Sequence, residues 1–265
     1  MLREEAEDMD HERALKEMAA FFQNSSAEMR SLLTAALAAL EQPGENADQQ
    51  SALRLSLYRL LRLAWNLGDF SMAADELPLQ LVLSSPLALV EELYDEAAAL
   101  IESTGRKLLL ATDEPLPSVA LHPYATRRIL YQLLSNAMAV TPVGGSIRLS
   151  CRRAGTQLLF SVADEGEGIA PEALDAMFAA PFTETPDFMP HGLRLGLPLA
   201  KLLAEKQGGR LLVENGDKGA CFTLALSAER KADRLQERRM DYTGGVSRAL
   251  VELSGQLPRD AYKED

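Results

Sequence analysis

Cysteine is almost missing from these 265 residues, with Cys151 and Cys221 the only two. Both sit in strand-like runs without metal-ligand spacing, which excludes a disulfide scaffold and a thiolate zinc site. They read as small buried hydrophobes in a reducing, cytoplasmic setting. Basic charge is short as well: 27 Lys and Arg face 39 Asp and Glu, for a formal net charge of -12. That balance argues against nucleic acid, which needs clustered cations, and against an anionic membrane surface. It does not exclude a nucleotide, whose phosphates are met by local donors and a metal rather than by net charge. No run of about 20 apolar residues could span a membrane, and there is no signal-peptide pattern. Any membrane sensor would lie on another chain or outside these residues. What the chain has in quantity is apolar surface: 47% hydrophobic with 25% charged, enough for a real core. The length suits two modest domains or one large one.

The pattern of that apolar content divides the chain. Leu15, Phe22, Met29 and Ala36 repeat every seven residues, with Met18, Ser25, Leu32 and Ala39 as a companion row. This is a coiled-coil-like seam with one polar layer. Gln42-Pro43-Gly44-Glu45-Asn46 breaks it, and a second stripe follows through Leu53, Leu57, Leu60, Leu61, Ala64 and Leu67. Residues 1–76 therefore read as a helical hairpin. Its apolar stripe needs cover, either from a second copy in a four-helix bundle or from the chain's own C-terminal part.

From Leu79 the texture changes to mixed α/β. A strand over Leu79–Leu83, a helix over Pro86–Ser103 and a strand over Lys107–Ala111 are followed by a loop, Asp113–Leu121, that contains two prolines. Pro123 opens a helix to Val140 at the position where its missing N–H costs nothing. Strands over Ser146–Arg152, Leu158–Ala163, Arg210–Glu214 and Cys221–Leu226 follow, with a helix over Leu197–Lys206. This is an α/β sandwich with a mixed sheet and helices on one face, over residues 77–228. Residues 229–265 form a charged tail with a short amphipathic patch at Val246, Leu250, Val251 and Leu253, read equally as a docked helix or a solvated appendage.

Three spaced segments carry the chemistry. Asn136 lies in Leu133-Leu134-Ser135-Asn136-Ala137 and faces out of an otherwise apolar helix. Its amide oxygen suits Mg²⁺ bound to phosphates, although a lone Asn is more often structural. Asp164-Glu165-Gly166-Glu167-Gly168-Ile169 follows a strand, where a carboxylate can accept from the adenine amine and glycines let the backbone turn beside the base; alone it could be an ordinary acidic turn. Gly192-Leu193-Arg194-Leu195-Gly196-Leu197 opens a helix whose N–H groups could meet phosphate, or is a plain loop-to-helix junction.

In this order, with a terminal Gly-Gly-Arg-Leu-Leu-Val segment, the stretch from Leu79 to Leu226 resembles the ATP-binding domain of sensor histidine kinases, within the gyrase, heat-shock chaperone and mismatch-repair ATPase superfamily. The resemblance places Asn136 in the N box, Asp164, Gly166, Gly168 and Ile169 at the first glycine box, Phe182 in the F box, and Gly192, Gly196 and Leu197 at the second. It implies ATP and Mg²⁺ as cofactors, with Asn136 on the metal, Asp164 on adenine and residues 179–195 as a lid. Arg194 replaces a usual glycine of the lid, and either contacts phosphate or is simply exposed. Ala139 replaces a common basic residue. Gln132 stands where hydrolytic members carry the Glu that activates water, and an amide cannot act as a general base.

The hairpin carries a second resemblance. Ser26-Ala27-Glu28-Met29-Arg30-Ser31-Leu32-Leu33 looks like the phospho-acceptor motif S-H-E-L-R-T-P-L, with Ala27 at the acceptor position, Glu28 as the neighbouring base and Ser31 one turn on. Without an imidazole, position 27 has no nitrogen nucleophile, and Leu32 replaces the kink-forming proline. His11 lacks the flanking pattern, and His122 and His191 read as structural. The resemblance implies a homodimeric two-component kinase-family protein that faces a response-regulator receiver domain, with autophosphorylation lost at Ala27. The alternatives are a pseudokinase scaffold, a response-regulator phosphatase or, more remotely, a serine kinase of the anti-sigma type.

Overall fold

The computed structural model describes residues 29, 31–34, 36, 47–74, 79–112, 115–170, 195–233 and 246–263. The Leu15–Phe22 seam, the 42–46 loop, His11, His191 and the sequence-expected sites Ala27, Glu28, Phe182, Gly192 and Arg194 lie outside the described residues. Helix α1 spans Ala47–Ala74 and is followed by strand β1 (Val82–Ser84) and helix α2 (Pro86–Glu102). Then come β2 (Lys107–Thr112), β3 (Val119–Leu121), helix α3 (Pro123–Val140), β4 (Ser146–Ala154) and β5 (Gln157–Ala163). Helix α4 (Gly196–Lys206), β6 (Arg210–Asn215), β7 (Ala220–Ser227), a short helix α5 (Arg248–Glu252) and a 3₁₀ turn (Arg259–Tyr262) complete the order.

Five strands form one mixed sheet in the order β2-β4-β5-β7-β6, with β2 and β4 parallel and the other pairs antiparallel. Alternation sets its two faces. Ile147, Leu149, Cys151, Leu158, Phe160, Val162, Phe222 and Leu224 are buried under the helices. Ser161 and Thr223 share a 2.8 Å hydroxyl contact on the opposite face. Each large apolar side chain buried this way contributes about 1.5–3 kcal/mol. The β4–β5 hairpin closes Ala154 onto Gln157 through a two-residue loop whose first residue, Gly155, has φ 59° and whose second is not left-handed. That is the II′ pattern, which matches strand twist and needs glycine in first place.

Where the sequence suggested only a loop over Asp113–Leu121, residues Val119–Leu121 form β3, which pairs antiparallel with β1. The upstream strand is correspondingly Val82–Ser84 rather than Leu79–Leu83. All three β3 residues are buried, so no alternation marks the strand, and the two prolines just before it are loop signals.

Helix α1 uses two opposite faces. Ser51, Leu55, Asn66, Asp69 and Ala73 are buried on one side, toward the C-terminal part of the chain. The stripe of Leu53, Leu57, Leu60, Ala64 and Leu67 stays partly or fully exposed, with Leu57 at 47%. The chain's own C-terminal part thus covers a polar-rich face of α1, and the apolar stripe lies elsewhere on the helix. The amphipathic patch of the tail is docked: Val251 and Leu253 are fully buried.

Helix α3 begins with a histidine cap. Nδ1 of His122 accepts from the backbone N–H of Ala125 at 3.1 Å, and Pro123 follows. Burial holds the His122 pKa below its ordinary 6.5, partly countered by a backbone hydrogen bond. Only the neutral ring can accept, so the unfolded chain binds the proton more readily. The cap contributes fully above the unfolded value and is lost as pH falls below it toward the lower folded value. We expect about 0.5–2 kcal/mol of stability to be lost on this acid limb. His122→Asp, which keeps an acceptor there, should flatten the urea-midpoint profile between about pH 5 and 7. An unchanged profile would remove His122 as its source.

Candidate functional site

Helix α3 is the spine of the site. It carries Gln132, Asn136 and Val140 at successive four-residue steps, hence on one face, over roughly 12 Å at 1.5 Å per residue. Each end meets one of the glycine segments. At Gln132 the start of α4 comes so close that a Cβ on Gly196 would lie 2.9 Å from Oε1. At Val140, a Cβ on Gly166 would lie 3.1 Å from the valine Cβ and 3.0 Å from Asp164 Oδ1. Asn136, between them, is half-buried and its amide makes no hydrogen bond among the described residues. The sequence-predicted Asn136, Asp164, Gly166 and Gly196 are thus brought together along one helix face, with Leu197 and Ile169 partly buried against the core.

Asp164 is 4% exposed at the end of β5. Its Oδ1 accepts from the N–H groups of Gly166 at 2.9 Å and Ala220 at 3.1 Å. No described residue donates to Oδ2, which leaves that oxygen as an acceptor for a ligand. Glu165 turns away and accepts from Ser146 N–H at 3.1 Å, pinning the loop to β4.

Two supporting residues escaped the sequence reading. Gly219 has φ 63°, and a Cβ there would sit 2.3 Å from both the carbonyl oxygen and Oδ1 of Asp164. Only glycine fits, and its absent side chain is what lets β7 begin against the carboxylate. Asn215 clamps the loop end at both backbone polar groups of one residue: Ile169 N–H donates to Oδ1, and Nδ2 donates to the Ile169 carbonyl, each at 2.9 Å. Both belong to an ordinary-looking Asn-Gly turn sequence, so only long-range contacts show their role.

Gln132 is buried and fully engaged. Its Oε1 accepts from Arg62 Nη2 at 3.2 Å and its Nε2 donates to Asn66 Oδ1 at 3.1 Å. Arg62 Nη2 also donates to Ser135 Oγ at 3.0 Å. An amide held on both ends cannot activate water, so the site lacks a general base at this place. Leu195 stands just before helix α4, and no side chain caps the helix's first N–H groups. Leu195 is fully buried against Leu63, with Met29, Leu67 and Phe70 packed around them, so the residue just after the 171–194 segment is anchored on α1. Ser31 is exposed and lines a separate cleft of about 530 Å³ with Leu32, Ser56, Arg59 and Arg259, away from Asn136 and Asp164. Among the described residues no three His, Cys, Asp or Glu side chains cluster as metal ligands, so a cation at Asn136 needs further oxygens from a bound ligand.

Residues 122–230 match the family of histidine kinase-, DNA gyrase B-, and HSP90-like ATPases. The adaptive-response sensory kinase SasA of Synechococcus sp. (strain JA-2-3B'a(2-13)) is 30% identical over 222 residues, which cover 78% of this chain and 58% of that protein. The chain thus spans a little over half the length of this curated relative. Full-length ShkA, solved in complex with AMPPNP, superposes with a TM-score of 0.61 at 23% identity, covering 83% of this chain and 46% of ShkA. Histidine kinase ThkA, solved in complex with the response regulator protein TrrA, gives 0.60 at 20% identity over 85% of this chain and 64% of that one. These two share the fold. Residues 122–230 thus form an ATPase domain of the histidine kinase type, and over 78% of its length the chain is similar to a sensory kinase.

Proposed function

We propose that residues 77–228 bind Mg·ATP and that the chain works in two-component phosphoryl signalling, with a receiver domain of a response regulator as its partner. The observation that carries this reading is the alignment of Gly196, Asn136 and Asp164 along one face of α3, with an open acceptor at each of the last two. Asp164 Oδ2 takes the adenine amine. The N–H groups at the start of α4 face the phosphates, where the helix dipole favours an anion. Mg²⁺, held by Asn136 Oδ1 and phosphate oxygens, would neutralise charge on the transferring group. Phe182, Gly192 and Arg194 complete the lid in this reading. AMPPNP in ShkA and the response regulator on ThkA support ligand and partner of these classes.

Position 27 decides the outcome of the chemistry. With Ala27 there is no imidazole to take the γ-phosphoryl group, so the chain itself does not autophosphorylate. Glu28 would orient a histidine placed there, and Ser31 would position water for dephosphorylating a receiver. Incubation with labelled ATP should leave the unmodified chain unlabelled and should give acid-labile phosphate on Ala27→His. Phosphate mapped to His11 in the unmodified chain would move the acceptor. No phosphate on Ala27→His despite ATP binding would favour the non-catalytic scaffold, the second reading that Ala27 itself supports.

The exposed Leu53–Leu67 stripe of α1 supports a homodimer through residues 1–76. Sedimentation should give a dimer at micromolar concentration. The substitution Leu57→Lys, at a 47% exposed position, should shift it to monomer without loss of helical signal. A wild-type monomer would refute the four-helix bundle.

A further inference from the structure

The C-terminal segment, residues 246–263, crosses from the ATP-binding domain to the hairpin and is held to both by specific contacts. On the domain side, Glu252 is fully buried and pairs with Nη1 of Arg128, on α3. Arg248 stacks its guanidinium over Tyr124, also on α3, at 5.4 Å. On the hairpin side, Arg59 Nε donates to the Ser254 carbonyl at 3.0 Å, and Tyr58 meets Tyr262 edge-on at 5.0 Å. Gly255 comes so close to α1 that a Cβ there would lie 2.6 Å from Arg62 Nη1. Leu253, Leu257 and Tyr262 join the domain core between them.

We propose that this segment is a positioning strap: it fixes the ATP-binding domain on α1 so that the lid end stays beside the acceptor motif. Leu195 packs in one cluster with Leu63 and Met29, and Met29 is two residues from position 27. The strap thereby raises the local concentration of bound nucleotide at that position, as any tether does when its span matches the geometry. The interface it closes mixes these apolar contacts with buried polar groups that are incompletely satisfied. Glu252 Oε2 and Ser254 Oγ are buried with no hydrogen-bond partner among the described residues. Such an interface is held more weakly than an apolar core and can be released as a unit. The functional half of this proposal rests on the kinase-type reading above; the structural half does not.

The test uses the full-length chain and two variants, Glu252→Gln and Tyr262→Ala, neither of which touches the nucleotide site. Hydrogen exchange should speed up at least about tenfold in residues 47–74 of both variants. Exchange in β4, β5 and β7 should stay unchanged. In an Ala27→His background, the same substitutions should lower phosphate formation at position 27 by about tenfold or more, with ATP affinity unchanged. Unchanged exchange in residues 47–74 overturns the strap. Faster exchange with equal or greater phosphate formation overturns its positioning role. If no version of the chain binds ATP, the Mg·ATP reading fails while the exchange comparison still judges the strap.

Discussion

Asp164→Asn should lower ATP affinity by about 10- to 100-fold and leave the fold in place. The magnitude is that of a lost charge-assisted hydrogen bond, about 1.5–3 kcal/mol, at about 1.4 kcal/mol per tenfold. The selectivity comes from how the backbone already uses this side chain. Oδ1 accepts from Gly166 and Ala220, and an Asn oxygen in the same place keeps both bonds. Flipping the amide would lose both, so the new NH₂ is forced into the Oδ2 position. There it presents donors to a donor, and the recognition of an adenine amine is reversed as well as weakened. Calorimetric titration with Mg·ATP measures the loss, and a thermal melt within a few degrees of the parent's separates it from unfolding. The same variant should discriminate less against GTP, whose base carries a carbonyl where adenine carries the amine. An unchanged ATP affinity would sink the assignment of Asp164 to the base.

Much of this site could be seen in the sequence because its parts are local. Pro123 marks the start of α3, and Asn136 sits on a helix whose other positions are mostly apolar. Asp164 sits where a strand gives way to glycines. What could not be seen depends on residues far apart along the chain. Gly219 is needed because its backbone is left-handed and Asp164 lies against it, and nothing in Asp217-Lys218-Gly219 shows the second reason. β3 is hidden because three residues buried together show no alternation. The largest omission is the polar face of α1. Arg59, Arg62, Asn66 and Asp69 recur at heptad-like spacing opposite the apolar stripe. Hydrophobic periodicity assigns such residues to solvent. They are drawn inward only because α3 and the C-terminal segment supply partners of matching charge and hydrogen-bonding capacity. Pairing across more than 50 residues leaves no local mark.

Arg128 is the centre of that hidden interface, and Arg128→Met should be the most destabilising single change there. The side chain is fully buried and each part of its guanidinium is used. Nε pairs with Asp69 on α1, Nη1 pairs with Glu252 on α5, and Nη2 donates to Asn66 Oδ1 at 2.8 Å. Burial works against its charge, but Glu252 and then Asp69 more than offset this and keep its pKa above the ordinary range. Tyr124, whose pKa is raised by burial and then by Asp69, stays protonated and donates to Asp69 Oδ1 at 2.8 Å. Removing the cation leaves two buried carboxylates facing each other across an apolar side chain. Breaking a buried pair from one side costs about 3–5 kcal/mol. Arg128→Lys should fall between, since one ammonium cannot span three partners in the plane of a guanidinium. The cost comes from the orphaned charges more than from lost attraction. The triple variant Arg128→Met, Asp69→Asn, Glu252→Gln should therefore recover a large part of the stability lost by the single one. Urea denaturation of the four proteins measures this. A loss below about 1 kcal/mol for Arg128→Met, or no recovery in the triple variant, would mean that water reaches the three groups and that the node does not hold α1 to the domain.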